Sequence, residues 1–157
     1  MIKTRQATPQ DADGMSALII PILQSWKSAR RGDAEHMLKY YITHPDNVQC
    51  TVAEDETGRL VGFQSLILPG EGNPYNTPAG WGEIGTYVAL DAGRGGIGRA
   101  LFSESQKAAL TNGIETIEAA IGSDNDRGLG YYSAMGFQTY SSEPGLVRKR
   151  FDLKKNV

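Results

Sequence analysis

A single cysteine, Cys50, is the whole thiol inventory of this 157-residue sequence. That excludes an internal disulfide and suits a reducing compartment. Cys50 alternates with Val48 and Val52 in a strand-like run, so it reads as packing and not as a nucleophile. Histidine is nearly as scarce: His36 and His44 are the only two. With one cysteine they make a poor zinc set, and no metal is expected. Neither sign of charge dominates, since 16 Lys and Arg against 18 Asp and Glu leave a formal net charge of −2. A nucleic-acid partner is therefore not expected. The tightest basic cluster, Arg148 to Arg150, reads as the solvated face of a late strand. No apolar run approaches the roughly 20 residues of a membrane span. Residues 1–5 have no apolar signal core. The expectation is one domain over residues 1–157, cytoplasmic and without a membrane partner.

What the sequence does have is glycine, concentrated at Gly93, Gly95, Gly96 and Gly98. This G-R-G-G-I-G stretch follows a strand-like run at 81–90 and opens a helix-like run at 97–111. Glycines at such a junction let a ligand approach free backbone N–H groups, where the helix dipole favours negative charge. The reading is an anion cradle, with a plain flexible turn as its alternative. The spacing Gly93-x-Gly95-x-x-Gly98 also fits a dinucleotide fingerprint, with Glu118 twenty residues beyond Gly98. Residues 89–92 separate the glycines from their strand, however, and too little chain follows Ile121 for the remaining parallel strands.

The rest of the chain falls into short elements. Residues 2–7 read as a strand, and Thr8, Pro9 and Asp11 as a helix start. Met15, Leu18, Ile19 and Ile22 share one helical face, with a kink or early end expected at Pro21. A second helix is expected over 34–43, capped by Asp33. Residues 48–52 and 60–68 form a hairpin. The Pro- and Gly-rich loop 69–80 is long enough to suggest a functional edge, or an idle excursion. In the strand 81–90, Gly85 suggests a bulge. Glu83, among apolar neighbours, is either an outward solvated carboxylate or a partly buried base. With the helix 97–111 and a strand at 114–121, this makes a parallel strand–helix–strand unit. A short helix at 126–135 and a hairpin of 137–140 with 147–153 complete the chain. The class is mixed α/β with antiparallel ends.

At these residues the chain resembles the GNAT family of N-acetyltransferases, over nearly its whole length. The family's acyl-CoA signature is Arg/Gln-x-x-Gly-x-Gly/Ala, and Gly96-Ile97-Gly98 matches its second half, followed by Arg99-Ala100-Leu101. Gly93 stands at the Arg/Gln position, with Arg94 one residue late. Val88 falls where the family ends its fourth strand. The second signature is matched by Asn125, Tyr132 and Gly136-Phe137, with Gly128 in place of Ala. The resemblance implies a central, mostly antiparallel sheet of about seven strands flanked by about four helices. It implies acetyl-CoA as acyl donor, with the backbone of Thr86, Tyr87 and Val88 along the pantetheine arm. Arg94, Gly95, Gly96, Ile97, Gly98 and Arg99 would hold the pyrophosphate, and Asn125 would bond the arm. Tyr132 would protonate the leaving thiolate and Glu83, five residues before Val88, would serve as base. Some relatives acting on amino-acid-like herbicides place Glu there. Those acting on ribosomal protein N-termini place Glu where this chain has Ala120. The resemblance thus implies a small-molecule primary amine as acceptor, with a homodimer as a family-level expectation. A non-catalytic acyl-CoA sensor and a protein Nα or lysine acetyltransferase are the alternatives.

Overall fold

Apolar residues alternate with polar ones in short runs such as 48–52, and such runs form strands of one sheet. A computed structural model describes residues 1–93 and 95–156. Its strands are β1 (Lys3–Gln6), β2 (Asn47–Glu54), β3 (Leu60–Ile67), β4 (Gly82–Val88), β5 (Thr116–Gly122), β6 (Gln138–Glu143) and β7 (Leu146–Asp152). They make one seven-stranded sheet in the order β1-β2-β3-β4-β5-β7-β6. Every neighbouring pair is antiparallel except β4 with β5. The helices are α1 (Ala12–Ser25), α2 (Ala34–Met37), α3 (Ile97–Thr111) and α4 (Asp126–Met135), with a last turn α5 (Leu153–Asn156).

Strand alternation sorts the core into two layers. Tyr87 and Phe63 project to the side where Met15, Ile19, Met37 and Tyr41 of the first two helices pack. Ile84 and Leu66 project to the other side, against Phe102, Phe137 and Phe151. Each layer buries several large apolar side chains at about 1.5–3 kcal/mol apiece. These layers fix the strand register, because a one-residue slip would exchange the two faces.

Several expectations need correction. Helix α1 does not stop at Pro21 but runs to Ser25, because Ile22 and Leu23 beyond the proline are buried in the core. The second helix is α-helical only to Met37 and continues as a π-helical turn, Leu38–Ile42, which buries Tyr41 and Ile42. Gly85 marks no bulge; it pairs in regular register with Ser65. The basic cluster is not a solvated face. Arg148 and Lys149 are buried, the first against glutamates and the second against the hydroxyls of Ser133 and Thr139.

The feature that matters for function is where β4 and β5 part. Their parallel ladder holds only Gly82 to Ile117 and Glu83 to Glu118. Beyond Glu83, β4 keeps its partner β3 on one edge, from Ile84 to Val88. The Ala89 N–H donates to the Val61 carbonyl at 2.9 Å. In an antiparallel ladder such bonds recur at every second residue. Tyr87 and Gly85 therefore share that edge, and the backbone groups of Thr86 and Val88 face the gap toward β5.

Candidate active site

The gap in the sheet leads to the glycine turn. Gly96 caps α3 in the left-handed conformation, φ +78°, and no side chain caps the helix. A helix start leaves its first N–H groups without intrahelical partners. Gly96 suits its position because a side chain would be strained at that φ, although a Cβ there would meet nothing within 4 Å. Gly98 has a different reason. A Cβ there would lie 2.5 Å from the Tyr131 ring, which occupies that space from α4. The Tyr131 hydroxyl donates to the Gly98 carbonyl at 2.7 Å, so α4 is fastened to the first turn of α3. Gly95, Ile97 and Arg99 lie on the same turn. Arg94, also expected at the pyrophosphate, lies outside the described residues.

Behind the gap runs a buried polar chain. Ser105 donates to Gln64 Oε1 at 2.6 Å, and Gln64 Nε2 donates to Thr86 Oγ1 at 2.8 Å and to the Tyr131 hydroxyl at 3.0 Å. Thr86 Oγ1 in turn shares a hydrogen bond of 2.8 Å with the Tyr132 hydroxyl. Tyr132 is buried beside Phe137, and burial pushes its pKa well above the ordinary phenol range. It therefore holds its proton at neutral pH, at the point where β4 leaves β5. Asn125 caps α4, its Oδ1 accepting from the Gly128 N–H at 3.0 Å. A Cβ on residue 128 would come within 2.6 Å of the Asn125 amide nitrogen, so glycine there leaves room for that amide.

The opposite face of β4 carries Glu83. Thr77 Oγ1 donates to Glu83 Oε2 at 2.8 Å. Thr77 is delivered by the loop 69–80, which is fastened on itself: Asn73 Oδ1 accepts from the N–H groups of Tyr75 at 3.0 Å and Thr77 at 3.1 Å. Across the ladder the Glu118 carboxyl lies against Glu83. Burial and the Glu118 carboxyl push the Glu83 pKa well up, while the Thr77 hydroxyl and the Arg148 charge pull the other way. Glu118 is fully buried; it accepts from Arg148 Nη1 at 2.7 Å and from the Tyr140 hydroxyl. Arg148 also bonds Glu143 at 2.7 Å and the Tyr75 carbonyl at 3.3 Å. A carboxyl with a raised pKa, enclosed but hydrogen-bonded, suits proton transfer near neutral pH. Cys50 is buried and its thiol is pushed up to about 12, so it supplies no nucleophile.

A family model described as the acetyltransferase (GNAT) family matches residues 18–137. The chain belongs to the GNAT acetyltransferase family. No curated protein matches the sequence. Among solved structures, a GCN5-related N-acetyltransferase from Kribbella flavida is 20% identical, with a TM-score of 0.80 over 96% of this chain and 97% of the other. The protein yncA from Salmonella typhimurium, solved with its cofactor acetyl-CoA, is 20% identical with a TM-score of 0.76, over 97% and 94% of the two chains. A ribosomal-protein-alanine N-acetyltransferase from Brucella melitensis is 22% identical with a TM-score of 0.74, over 96% and 99%. Likenesses at this identity speak for the fold alone.

The GNAT fold gathers most of the residues expected from the sequence. Thr86 meets Tyr132 at the gap, Val88 ends the same strand, Gly95, Gly96, Ile97, Gly98 and Arg99 form the turn beyond it, and Asn125 heads α4. Tyr87 is the exception on β4: its side chain packs in the α1–α2 layer and its backbone pairs with Phe63. Sequence reasoning missed Thr77, Glu118, Arg148 and Tyr140. Glu118 and Arg148 each carried a signal, a charged residue on a strand among apolar ones, but only the register joins them to Glu83. Among the described residues no His, Cys, Asp and Glu group could hold a metal ion, and no helix is long and apolar enough to cross a membrane.

Proposed function

We propose that this GNAT enzyme transfers an acetyl group from acetyl-CoA to the primary amine of a small molecule, by direct attack in a ternary complex. One observation carries the reading: the edge of β4 left free beyond Glu83 leads straight to an uncapped helix start at Gly96. The residues fit acetyl-CoA. The free edge at Thr86 and Val88 would pair with the amide-bearing pantetheine arm, and the turn 95–99 would take the pyrophosphate on its N–H groups. Asn125 would add a bond from its amide. When bound, acetyl-CoA supplies a thioester carbonyl open to attack.

The chain's own groups supply the rest. An amine with a pKa of about 10.4 is neutral in roughly one molecule in a few thousand near pH 7. Glu83, once ionised, takes the ammonium proton directly or through a water. The Val88 N–H, which faces the gap, stabilises the oxyanion that attack creates. Tyr132, protonated and held by Thr86, hydrogen-bonds to the departing thiolate and gives it a proton. No covalent enzyme intermediate is needed.

A non-catalytic acyl-CoA sensor is the rival reading, favoured by the departures from the family signatures at Gly93 and Gly128. The room Gly128 leaves for Asn125 gives that departure a packing reason. Ala120, at the place of the base in enzymes of protein N-termini, supports a small acceptor. A cytoplasmic location fits the single cysteine, and a homodimer remains a family-level proposal. The test is release of free CoA thiol across a panel of amines, with acetyl-CoA binding measured separately. Thiol release that depends on the amine is expected; binding without turnover on any acceptor would favour the sensor.

A further inference from the structure

Arg30 is an exposed cation whose side chain, among the described residues, hydrogen-bonds only to phenols. Its Nη2 donates to the Tyr87 hydroxyl at 2.8 Å and to the Tyr41 hydroxyl at 3.3 Å. Its guanidinium carbon lies 5.9 Å from the centre of the Tyr87 ring. Among the described residues no carboxylate stands within ion-pair distance of it. The nearest acid in sequence, Asp33, is taken by Arg31 at 2.7 Å. The Tyr41 phenol is no counter-ion. Tyr41 is buried on the π-helical turn, and burial holds it protonated by pushing its pKa far up. Tyr41 and Tyr87 hydroxyls stand 3.4 Å apart, and Trp26 packs 6.3 Å from the Tyr87 ring.

The position of this group is as telling as its lack of a partner. Tyr87 and Glu83 project from the same face of β4, four residues apart. Strand rise puts their backbones about 13 Å apart, a span that an acceptor and a bridging water can share. This face of β4 thus carries an acid that can meet an ammonium group and, beside Tyr87, a guanidinium that bonds no carboxylate among the described residues. Such a fork binds a carboxylate through paired N–H bonds.

We propose that Arg30 binds a carboxylate on the acceptor, so that the acceptor is an amino acid, its amine toward Glu83 and its carboxylate on Arg30. This rests on the acetyltransferase reading above. The plain alternative is that Arg30 only ties the linker between α1 and α2 to the sheet. In that case its loss would lower activity on every amine alike.

The test uses pairs of acceptors, L-amino acids and their carboxamides, with wild type and Arg30→Gln. Wild type should prefer the acid in kcat/KM. Arg30→Gln should lower kcat/KM on the acid by about 10- to 100-fold, the loss of a charge-assisted pair. The acid-to-carboxamide ratio should fall by a similar factor. The change in ratio cancels the difference in amine pKa between the two acceptors. Arg30→Lys should restore part of it. If Arg30→Gln lowers both rates equally, the residue is structural and the proposal fails. If wild type uses carboxamides as well as acids, the proposal fails while acetyl transfer stands. If no amine is acetylated, the acetyltransferase reading fails, and calorimetry of the same pairs on CoA-saturated protein decides the site. Tighter acid binding that is lost in Arg30→Gln supports it; equal binding overturns it.

Discussion

The two sides of β4 are built in different ways. On the side of the proposed donor, most of the work falls to backbone: a free strand edge, an uncapped helix start and a glycine in the left-handed conformation. The parts lie within residues 86–99 and 125–132, which are two short stretches of chain. On the side of the proposed acceptor, side chains do the work, and they come from everywhere. Glu83, Thr77, Glu118, Tyr140 and Arg148 arrive from three strands, β5, β6 and β7, as well as β4 and the loop before it. A backbone site tolerates side-chain change as long as the turn survives. A site of converging side chains depends on register, and every member can be lost singly.

That contrast makes predictions. The largest effect should come from Glu83→Gln, which keeps shape and removes basicity. The rate should fall about 100- to 10,000-fold. Glu83 has its pKa raised by burial and by Glu118, so the wild-type rate should climb with pH as that proton is lost. The variant should recover part of its activity only at high pH, where the amine is free. Superimposable pH–rate profiles would remove Glu83 from the mechanism. A rise in KM with kcat intact would make it a binding group instead.

Tyr132→Phe should come next, with turnover down about 100-fold and acetyl-CoA affinity little changed, since the proton is needed only as the thiolate leaves. Single-turnover kinetics alongside calorimetry checks both halves. Normal turnover would leave Tyr132 as packing.

The glycines separate backbone from packing. Gly96→Val forces a β-branched residue to φ +78°, a conformation L side chains rarely adopt. Strain of roughly 1–2 kcal/mol at the turn should weaken acetyl-CoA binding by about 10-fold. Gly98→Val instead meets the Tyr131 ring and should cost stability as well as affinity. Tyr131→Ala, which empties that space, should restore the stability of Gly98→Val in part. Additive effects in thermal unfolding would break the account of that contact.

The smallest effect concerns stability. The Glu83 pKa is higher in the fold than in the unfolded chain, where 4.5 applies. Below the unfolded value both states hold the proton and nothing is lost. As pH rises past it, the unfolded state gives up its proton first, and the fold loses stability until Glu83 ionises too. Glu83→Gln should therefore melt a few degrees above wild type at pH 8, with the gap narrowing by pH 4. An equal gap at both pH values would contradict a buried, raised carboxyl.

The same contrast explains what the sequence disclosed. The glycine turn, Asn125 and Tyr132 are local patterns, readable because a helix start and a helix face need only a few neighbours. Glu83 was readable as an unusual charge in an apolar strand. Glu118 was visible too, but as a stray match to a dinucleotide spacing; its place beside Glu83 follows from the parallel register. Arg148 misled because basic residues in a late strand are mostly solvated, whereas here β7 lies between β5 and β6. The early helix end expected at Pro21 fails for a related reason: tertiary burial of Ile22 and Leu23 outweighs the helix penalty of proline. Arg30 carried no signal at all, since its meaning lies in what does not surround it.

The central claim is that β4 separates donor from acceptor, its free edge serving one and its Glu83 face the other. Amide chemical shifts followed by NMR during titration with acetyl-CoA test it most directly. The account predicts large shifts at Thr86, Val88, residues 95–99 and Asn125, with Thr77, Glu118 and Arg148 little moved until an amine is added. Shifts centred on Thr77, Glu118 and Arg148 with acetyl-CoA alone, and none at the glycine turn, would contradict it.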